Sequence, residues 1–389
     1  QDNSPSRTAV DGNGDAYVAC RAFAEQGTVV KIAAAPEDCI DRNGDGAIQT
    51  STGSVPLALG TDECVLWTAN VGVRGDTPRA LVVDLGGLDS SAGLPWVGLH
   101  DANRMLQLDP DNGSVLADIP IGVSPYGAAI DSRGNIWISG FFSGQIVRLD
   151  SMARTVDPPI GVGGCMGPYG IATDNRDRVW MGTFSNSACR YDPADGSIFQ
   201  VSLPTSDVSS RGVAVDGFDM VWVAAHSMDA GYFFGFHADD GLGMVSVSTG
   251  GLTPVGVAVD SGGYIWAVNQ NSNTASRLDP STLVVNTYPV GMGPYTYSDF
   301  TGFQRSRVYS QGSWTADFQA CPDGGDDPDF TWENLVWSVS TPGTTSIEII
   351  AQSADRVEDL RAAPMVTLAT LPGTTAPVDI DEAFTNEGV

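Results

Sequence analysis

A short sequence unit recurs along the middle of this chain, and it constrains the fold more than any other feature. Each copy has a Gly, a short apolar run that ends in Asp, a polar turn, and a second run that carries Trp. The first apolar runs of the four copies end in Asp131, Asp174, Asp216 and Asp260, which lie 42 to 44 residues apart. A period of this length, with strand and turn signals and no helical periodicity, is typical of β-propeller blades. We therefore predict an all-β fold built around a propeller.

The number of blades follows from the Trp markers, with one alternative left open. Tyr17 takes the place of Trp in a degenerate first copy, and Trp67 and Trp96 mark two more copies. Together with the four regular repeats they make seven markers, which favours seven blades. The step from Trp67 to Trp96 is only 29 residues, so six blades is the alternative.

The repeat stops near residue 305, and we predict a domain boundary there. The stretch 294–300 begins like another copy and is expected to supply the strand that closes the ring. Residues 306–389 contain alternating runs at 313–318, 335–339, 346–351 and 365–368, which predict a small β-sandwich. So few strands would leave open sheet edges. We therefore expect either that the sandwich is incomplete and the natural chain continues, or that self-assembly through such an edge completes it.

An insertion at about 34–64 interrupts the first repeats and contains a candidate calcium loop. Asp41, Asn43 and Asp45 stand at positions 1, 3 and 5 of an EF-hand-type pattern, with Gly46 at position 6. The backbone carbonyl of Ala47 would add a fourth oxygen ligand. The pattern predicts a structural calcium ion; the alternative is a tight turn that binds no metal.

The rest of the insertion bears on how this loop would be completed. Thr52 stands where an EF-hand has its bidentate Glu, so Asp62 or Glu63 is expected to complete the ligand shell from across the loop. Cys39 and Cys64 flank the insertion, and a disulfide between them would close it.

The six cysteines are an even number and indicate disulfides in an oxidising compartment. Cys165 and Cys189 lie in one repeat and form a plausible pair, which leaves Cys20 with Cys321. Sequence alone allows fifteen pairings. Because the chain begins with Gln1, we expect a protein that is secreted or displayed at the cell surface and whose signal peptide has been removed.

The charge balance excludes several kinds of partner. Asp and Glu outnumber Lys and Arg by 47 to 19, which gives a net charge of −28. Such a chain is a poor match for nucleic acid and for anionic lipid, because both need basic surfaces. No apolar run is long enough to span a bilayer.

The repeats resemble those of the streptogramin-lyase-like and NHL-type propellers, in which Pro-x-Gly-(apolar)-Ala-x-Asp-x-x-Gly-x-(apolar)-Trp recurs. The resemblance covers about 1–305. The calcium-like loop and the trailing sandwich also resemble secreted bacterial repeat proteins. The lyase branch implies a magnesium-dependent elimination by His and Glu placed just after the Trp strands. The residues three positions after the markers include no Glu: Cys20, Asn70, Leu99, Gly140, Thr183, Ala225 and Asn269.

Positions that vary between copies are the candidate site residues, because a repeat places equivalent positions in a ring. The resemblance implies that the turns before the blades face the axis. Tyr126, Tyr169, Arg211 and Tyr295 would then line one mouth of the channel and bind a ligand there, or simply pack it. The positions four past the markers are Arg21, Val71, His100, Phe141, Phe184, His226 and Gln270.

Two of those positions, His100 and His226, are candidates for metal binding or acid–base chemistry. The alternative is that they are hydrogen-bonded strand-end residues. We found none of the common nucleophile, phosphate-loop or zinc-protease motifs.

The favoured hypothesis is a secreted or cell-surface, non-catalytic binding or structural protein, with a calcium-stabilised propeller that interacts with a protein or glycan or takes part in extracellular assembly. The alternative is a divalent-metal-dependent lyase or hydrolase that acts at the channel mouth.

Overall fold

The computed structural model describes residues 4–53, 57–58, 60–86, 92–165, 167–308, 333–339, 347–354, 363–371 and 373–380. The chain divides into two compact units, Gln1–Gly312 and Ser313–Val389. The predicted boundary lay after residue 305, and a short helix, Phe303–Val308, belongs to the first unit.

The first unit contains six antiparallel sheets that follow one another along the chain, and each sheet is one blade. The strands of blades 1 and 2 are Pro5–Val10, Ala16–Cys20, Thr28–Ile32 and Val65–Asn70, then Pro78–Val83, Pro95–Leu99, Arg104–Leu108 and Val115–Pro120. Those of blades 3 and 4 are Gly127–Ile130, Asn135–Gly140, Gln145–Asp150, Thr155–Val156 and Ile160–Gly161, then Ile171–Thr173, Val179–Gly182, Ser187–Tyr191 and Ile198–Ser202. Those of blades 5 and 6 are Ser209–Val215, Met220–His226, Gly231–His237 and Val245–Ser248, then Pro254–Val259, Ile265–Asn269, Thr274–Leu278 and Val285–Pro289. Two 3₁₀ turns, Pro36–Asp38 and Gln270–Ser272, complete the elements of this unit.

The recurring Asp and Trp hold the turn between the first two strands of each blade. In blade 5, one carboxylate oxygen of Asp216 accepts the backbone N–H groups of Phe218 (2.9 Å) and Met220 (3.0 Å). The other accepts the indole N–H of Trp222 at 2.9 Å. One buried carboxylate thus satisfies three donors that would otherwise be unpaired.

Six such Asp residues give six blades, so the structure has the lower of the two predicted counts. In blade 1 the hydroxyl of Tyr17 donates to Asp11 at 3.1 Å, as expected for a stand-in for Trp. Trp67 marks no blade, because it lies in the outermost strand of blade 1. Its indole N–H donates to the carbonyl of Pro110 in blade 2 at 2.9 Å.

Adjacent blades bury apolar side chains between their faces. Between blades 4 and 5 the fully buried Trp180 packs on Phe236 with ring centroids 5.4 Å apart, beside Val213 and Phe234. Similar cores join blades 1 to 2, 2 to 3, 3 to 4 and 5 to 6. Burial of large aromatic groups is the main stabilising contribution in such interfaces.

Residues 294–308, here called the axial segment, lie against the first strands of blades 1 and 6. The hydroxyl of Ser298 accepts the N–H of Thr8 (3.2 Å) and donates to its carbonyl, while the hydroxyls of Thr8 and Thr296 are 2.9 Å apart. On the other side, a Cβ on Gly256 in blade 6 would clash with the backbone of Thr296 and Tyr297. The prediction of a closing strand at 294–300 is therefore wrong, since this stretch closes the ring through side-chain hydrogen bonds and forms no strand.

The axial segment continues along the channel and fills it. Asp299 and Gln304 border two small spaces in the channel. One is lined by the first strands of blades 1, 2 and 3, and the other by the first strands of blades 5 and 6. The guanidinium of Arg305 donates to the carbonyl of Asp84 in blade 2 at 2.8 Å. The carboxylate of Asp299 accepts the hydroxyl of Thr301 at 3.1 Å and the N–H of Arg305 at 3.2 Å.

The described part of the second unit contains two antiparallel strand pairs. Ile347–Ala351 pairs with Val366–Leu371, and Asn334–Leu335 pairs with Val378–Asp379. The strands predicted near 346–351 and 365–368 are present, whereas most of 335–339 is not a strand. The predicted strand at 313–318 lies outside the described residues. No helix in the described ranges combines the length and apolar character needed to cross a membrane.

Two of the three candidate disulfides are formed. Cys39 bonds to Cys64 and Cys165 bonds to Cys189. Cys20, at the end of the second strand of blade 1, is a buried free thiol, and burial raises its pKa. Its expected partner Cys321 lies outside the described residues.

Candidate functional site

The four residues predicted to line the channel mouth lie together at one end of the first strands. The rings of Tyr126 and Tyr169 are 5.0 Å apart, and the hydroxyl of Tyr169 is hydrogen-bonded to that of Tyr295. Arg211 donates to the hydroxyl of Tyr169 at 3.3 Å. Gly170 allows this approach, because a Cβ there would lie 2.7 Å from the carbonyl oxygen of Arg211.

Further aromatic residues extend this cluster. Tyr297, on the axial segment, packs 4.4 Å from Tyr169 and 5.5 Å from Tyr126. Phe141, Phe142 and Phe184 follow the second strands of blades 3 and 4 and stack around these tyrosines. Phe142 is 73% exposed and Phe184 is 41% exposed, whereas the tyrosines beneath them are nearly buried. Together these residues form the mouth cluster: Tyr126, Phe141, Phe142, Tyr169, Phe184, Tyr295 and Tyr297.

Three arginines accompany Arg211 at the mouth, and sequence reasoning assigned them no role. Arg7 is fully buried, donates to the carbonyl of Tyr126 and lies over the ring of Tyr297. Arg79 lies 4.6 Å from the ring centroid of Tyr126. Arg21 lies 4.6 Å from the Tyr295 ring and also contacts Phe23.

A positional signal for Arg79 exists in the sequence. Arg79 stands five residues before Asp84, just as Tyr126, Tyr169 and Arg211 stand five residues before the Asp of their own blades. Arg7 stands four residues before Asp11 in blade 1. Position relative to the blade Asp identifies these residues, whereas Arg21, His100, Phe141, Phe184 and His226 are identified by standing four positions after a marker.

Burial and the arginine charges change the acidity of the mouth groups. Burial lowers the pKa of Arg7 to about 9. Burial also raises the pKa of Tyr126 and of Tyr169, whose hydroxyl therefore remains protonated. Burial acts in the same direction on Tyr295, but the charge of Arg7 and the hydrogen bond from Tyr169 outweigh it, so the pKa of Tyr295 is lowered.

His100 and His226 both lie at the mouth, on blades 2 and 5, and no contact between them is present among the described residues. His100 packs edge-on against Phe142, at 5.5 Å, and its Nδ1 is 2.9 Å from the carboxylate of Asp101. His226 Nε2 accepts a hydrogen bond from Arg211 at 2.9 Å. Burial lowers the pKa of His226, with a smaller contribution from the Arg211 charge. His226 is therefore a neutral acceptor near pH 7.

The candidate calcium loop is exposed and is ordered by its own side chains. Asp41 accepts the N–H groups of Gly44 (2.7 Å) and Gly46 (2.9 Å), while Asn43 accepts that of Asp45 at 2.8 Å. These are the local bonds that curl the backbone so that oxygens at alternate positions converge.

Gln49 lies against two of the predicted ligand residues. Its amide nitrogen lies 3.2 and 3.1 Å from the two carboxylate oxygens of Asp45 and 2.9 Å from the carbonyl oxygen of Ala47. Both residues present oxygens, the ligands that calcium prefers, to this nitrogen. The side-chain amide of Asn43 instead donates to Gln49.

Asp62 and Glu63, the ligands predicted from across the loop, accept hydrogen bonds from the loop. Glu63 is 2% exposed, and its carboxylate accepts the backbone N–H groups of Arg42 and Gln49, each at 2.8 Å. Asp62 accepts the N–H and hydroxyl of Ser51. Both carboxylates hold the loop backbone in place. Among the described residues, no group of three or more His, Cys, Asp or Glu is arranged to hold a metal ion.

Comparison with known proteins identifies relatives by structure alone. No protein-family profile matches the chain, and no curated protein matches its sequence. The structure is similar to virginiamycin B lyase from Staphylococcus aureus, with a TM-score of 0.56 and 15% identity over 76% of this chain and 88% of that one. It is also similar to hydrazine synthase of Kuenenia stuttgartiensis, with a TM-score of 0.55 and 15% identity over 78% and 94% of the two chains.

A protein from Lactobacillus plantarum is similar too, with a TM-score of 0.55 and 12% identity over 75% of this chain and 86% of that one. At such identities the likeness concerns the fold only. The six-bladed unit of this chain therefore has the fold of the streptogramin-lyase-like β-propellers.

Proposed function

We propose that this protein is a secreted or cell-surface, non-catalytic binding scaffold that holds a protein or glycan partner on the mouth cluster. The observation that carries this proposal is that blades 3 and 4 and the axial segment bring seven aromatic side chains together at one end of the propeller. Aromatic and arginine side chains are the residues most enriched in the cores of binding surfaces.

The scaffold supports this proposal by keeping the surface preordered. Tyr169 is hydrogen-bonded to Tyr295 and to Arg211, and Tyr297 of the axial segment packs against its ring. Side chains that are already fixed lose little conformational freedom when a partner binds.

An extracellular location fits the disulfides Cys39–Cys64 and Cys165–Cys189, since such bonds persist mainly in oxidising compartments.

A structural calcium ion at the insertion is part of the proposal. Asp41, Asn43, Asp45 and the carbonyl of Ala47 would hold it, and Gln49 would have to turn away. Its role would be to order the insertion, which the Cys39–Cys64 disulfide anchors beside the outer strand of blade 1.

The test of mouth binding uses a matched pair of substitutions. Phe142→Ala with Phe184→Ala removes the exposed rings of the cluster, and Phe218→Ala removes an 89% exposed ring in a turn of blade 5. Glycan and protein arrays are probed with each variant, and the mass of every bound glycan or peptide is measured after incubation. We expect binding to fall in the double variant alone, with unchanged ligand masses. Equal binding by both variants would refute the mouth as the binding surface, and a shifted ligand mass would refute the non-catalytic function.

A lyase activity at the mouth is the second candidate function, and it is favoured by the position of His226. This neutral histidine lies beside Arg211, which contacts Tyr169 and Phe184 of the cluster. One similar structure is a catalytically inactive virginiamycin B lyase with quinupristin. The test is mass spectrometry of quinupristin incubated with the protein and Mg²⁺. A product that the wild type forms and His226→Ala does not would establish this alternative.

A further inference from the structure

The mouth carries an excess of positive charge on a chain that is otherwise acidic. Four of the 19 Lys and Arg residues of this −28 chain, Arg7, Arg21, Arg79 and Arg211, lie at this one site. None of the four lies within 4 Å of a carboxylate of the described residues. The charge of Arg79 makes a small contribution to lowering the pKa of Asp101, but the two residues form no ion pair. Other described cations do form such pairs, among them Lys31, Arg74, Arg104, Arg133, Arg148, Arg176 and Arg178.

The buried arginines at the mouth have unused donors. The Nε and Nη1 groups of Arg7 and of Arg79 are buried and have no hydrogen-bond partner among the described residues. Arg7 is fully buried and uses only Nη2, toward the carbonyl of Tyr126. A buried cation without a counter-charge is costly, and an anion that supplied both charge and acceptors would remove that cost.

We propose that the mouth binds the carboxylate or sulfate groups of an acidic polysaccharide. This inference rests on the proposed binding function and names the class of partner. Arginine is suited to the role because its planar guanidinium binds oxyanions through two parallel hydrogen bonds.

The arrangement of rings and charges favours a sugar as the carrier of the anion. Arg211 lies 4.7 Å from the ring centroid of Phe184, and Arg79 lies 4.6 Å from that of Tyr126. The exposed ring of Phe142 lies beside Tyr126, with centroids 6.3 Å apart. A pyranose ring can lay its apolar C–H face on such a ring while its charged substituent reaches the neighbouring guanidinium. An acidic polysaccharide repeats a sugar ring with a charged substituent, and the mouth repeats an aromatic ring with a neighbouring guanidinium.

The experiment measures binding of oligogalacturonate by calorimetry, beside a neutral glucose oligomer of equal length, monomeric galacturonate, sodium sulfate and oligo-aspartate. The test variant is Arg21→Gln with Arg79→Gln, which leaves the buried Arg7 in place. The matched control is Arg277→Gln. Arg277 also stacks on aromatic rings, 4.2 Å from Tyr264 and 5.9 Å from Trp266, but lies in the third strand of blade 6. Circular dichroism and melting curves verify that all variants fold.

We expect oligogalacturonate to bind at least about tenfold more weakly to the double arginine variant, with the Arg277→Gln control unchanged. The inference would be overturned if the protein bound the neutral oligomer or oligo-aspartate more tightly than oligogalacturonate. It would also be overturned if sodium sulfate were the only ligand that bound. If binding falls in the Phe142/Phe184 variant but not in the arginine variant, the acidic-glycan inference fails while the mouth remains the binding surface. If neither variant changes binding, the proposed function fails as well.

Discussion

The substitution Gly256→Ala tests whether the axial segment fills the channel. A Cβ at this position would lie 2.0 Å from the carbonyl oxygen of Thr296 and 2.9 Å from the Cα of Tyr297. Both contacts are with backbone, so no side-chain rotation relieves them. Overpacking of this kind costs about 1–3 kcal/mol when the surroundings can shift. For a domain of some hundreds of residues each kcal/mol lowers Tm by about 2–4 °C, so we expect a loss of about 2–12 °C.

The assay pairs melting curves with limited trypsin digestion. Arg305, on the axial segment, is 7% exposed and is protected from trypsin while the segment stays in the channel. We expect Gly256→Ala to speed cleavage after Arg305 at temperatures well below Tm. Gly291→Ala is the control, because its Cβ would have no heavy atom within 4 Å. A wild-type Tm and a wild-type cleavage rate in Gly256→Ala would show that the segment does not lie against blade 6, and the description of the closed channel would be wrong.

Three further predictions concern the turn, the mouth and the insertion. Asp131→Ala removes the acceptor of the Trp137 indole N–H, of the Asn135 side-chain amide and of two backbone N–H groups, and it should cost about 3–5 kcal/mol of unfolding free energy. Trp137→Phe removes one donor itself and should cost less. A denaturant double-mutant cycle checks this, and additivity would contradict it. Because burial lowers the pKa of His226, the unfolded chain binds a proton that the folded chain resists, so stability should fall as pH drops below about 6.5. His226→Gln should flatten that part of the stability curve, and an unchanged curve would exclude His226 as its cause. Chelation by EDTA should lower Tm by a few °C, since calcium at about 100 times its Kd would contribute about 2.7 kcal/mol; the same shift in Asp45→Ala would place the ion elsewhere.

The propeller could be predicted because its turn depends on local spacing. An Asp followed two, four and six residues later by its donors is visible in the sequence, and the structure confirms it in four regular repeats. The predicted number of blades was one too high because Trp67 was taken as a blade marker. An outer strand can also pack an aromatic ring against the next blade, as Trp67 does. The insertion that precedes Trp67 also lengthens blade 1, so the regular period could not show where this blade ends.

The site was predictable where the repeat is regular. Tyr126, Tyr169 and Arg211 stand at fixed distances from both Asp and Trp, so their meeting at the mouth followed from periodicity. Arg79 has the same distance to its Asp, but twelve residues rather than six separate Asp84 from Trp96, which hides the repeat. Arg7 reaches the mouth through its contact with Tyr297 on the axial segment, and that long-range pairing has no local signal.

The contrast between an acidic chain and a cationic mouth leads to an unusual salt dependence. The net charge of −28 repels an anionic glycan at long range, while the mouth arginines attract it at short range. At about 0.01 M salt the screening length is about 30 Å, so the whole molecule is felt and repulsion is strong. At about 0.15 M it is about 8 Å, which screens the distant carboxylates but not the arginines in contact. Affinity for oligogalacturonate should therefore rise from low to intermediate ionic strength and fall again toward 1 M. A steady decrease over the whole range would mean that the distant acidic groups do not oppose binding, and the predicted rise at intermediate ionic strength would be refuted.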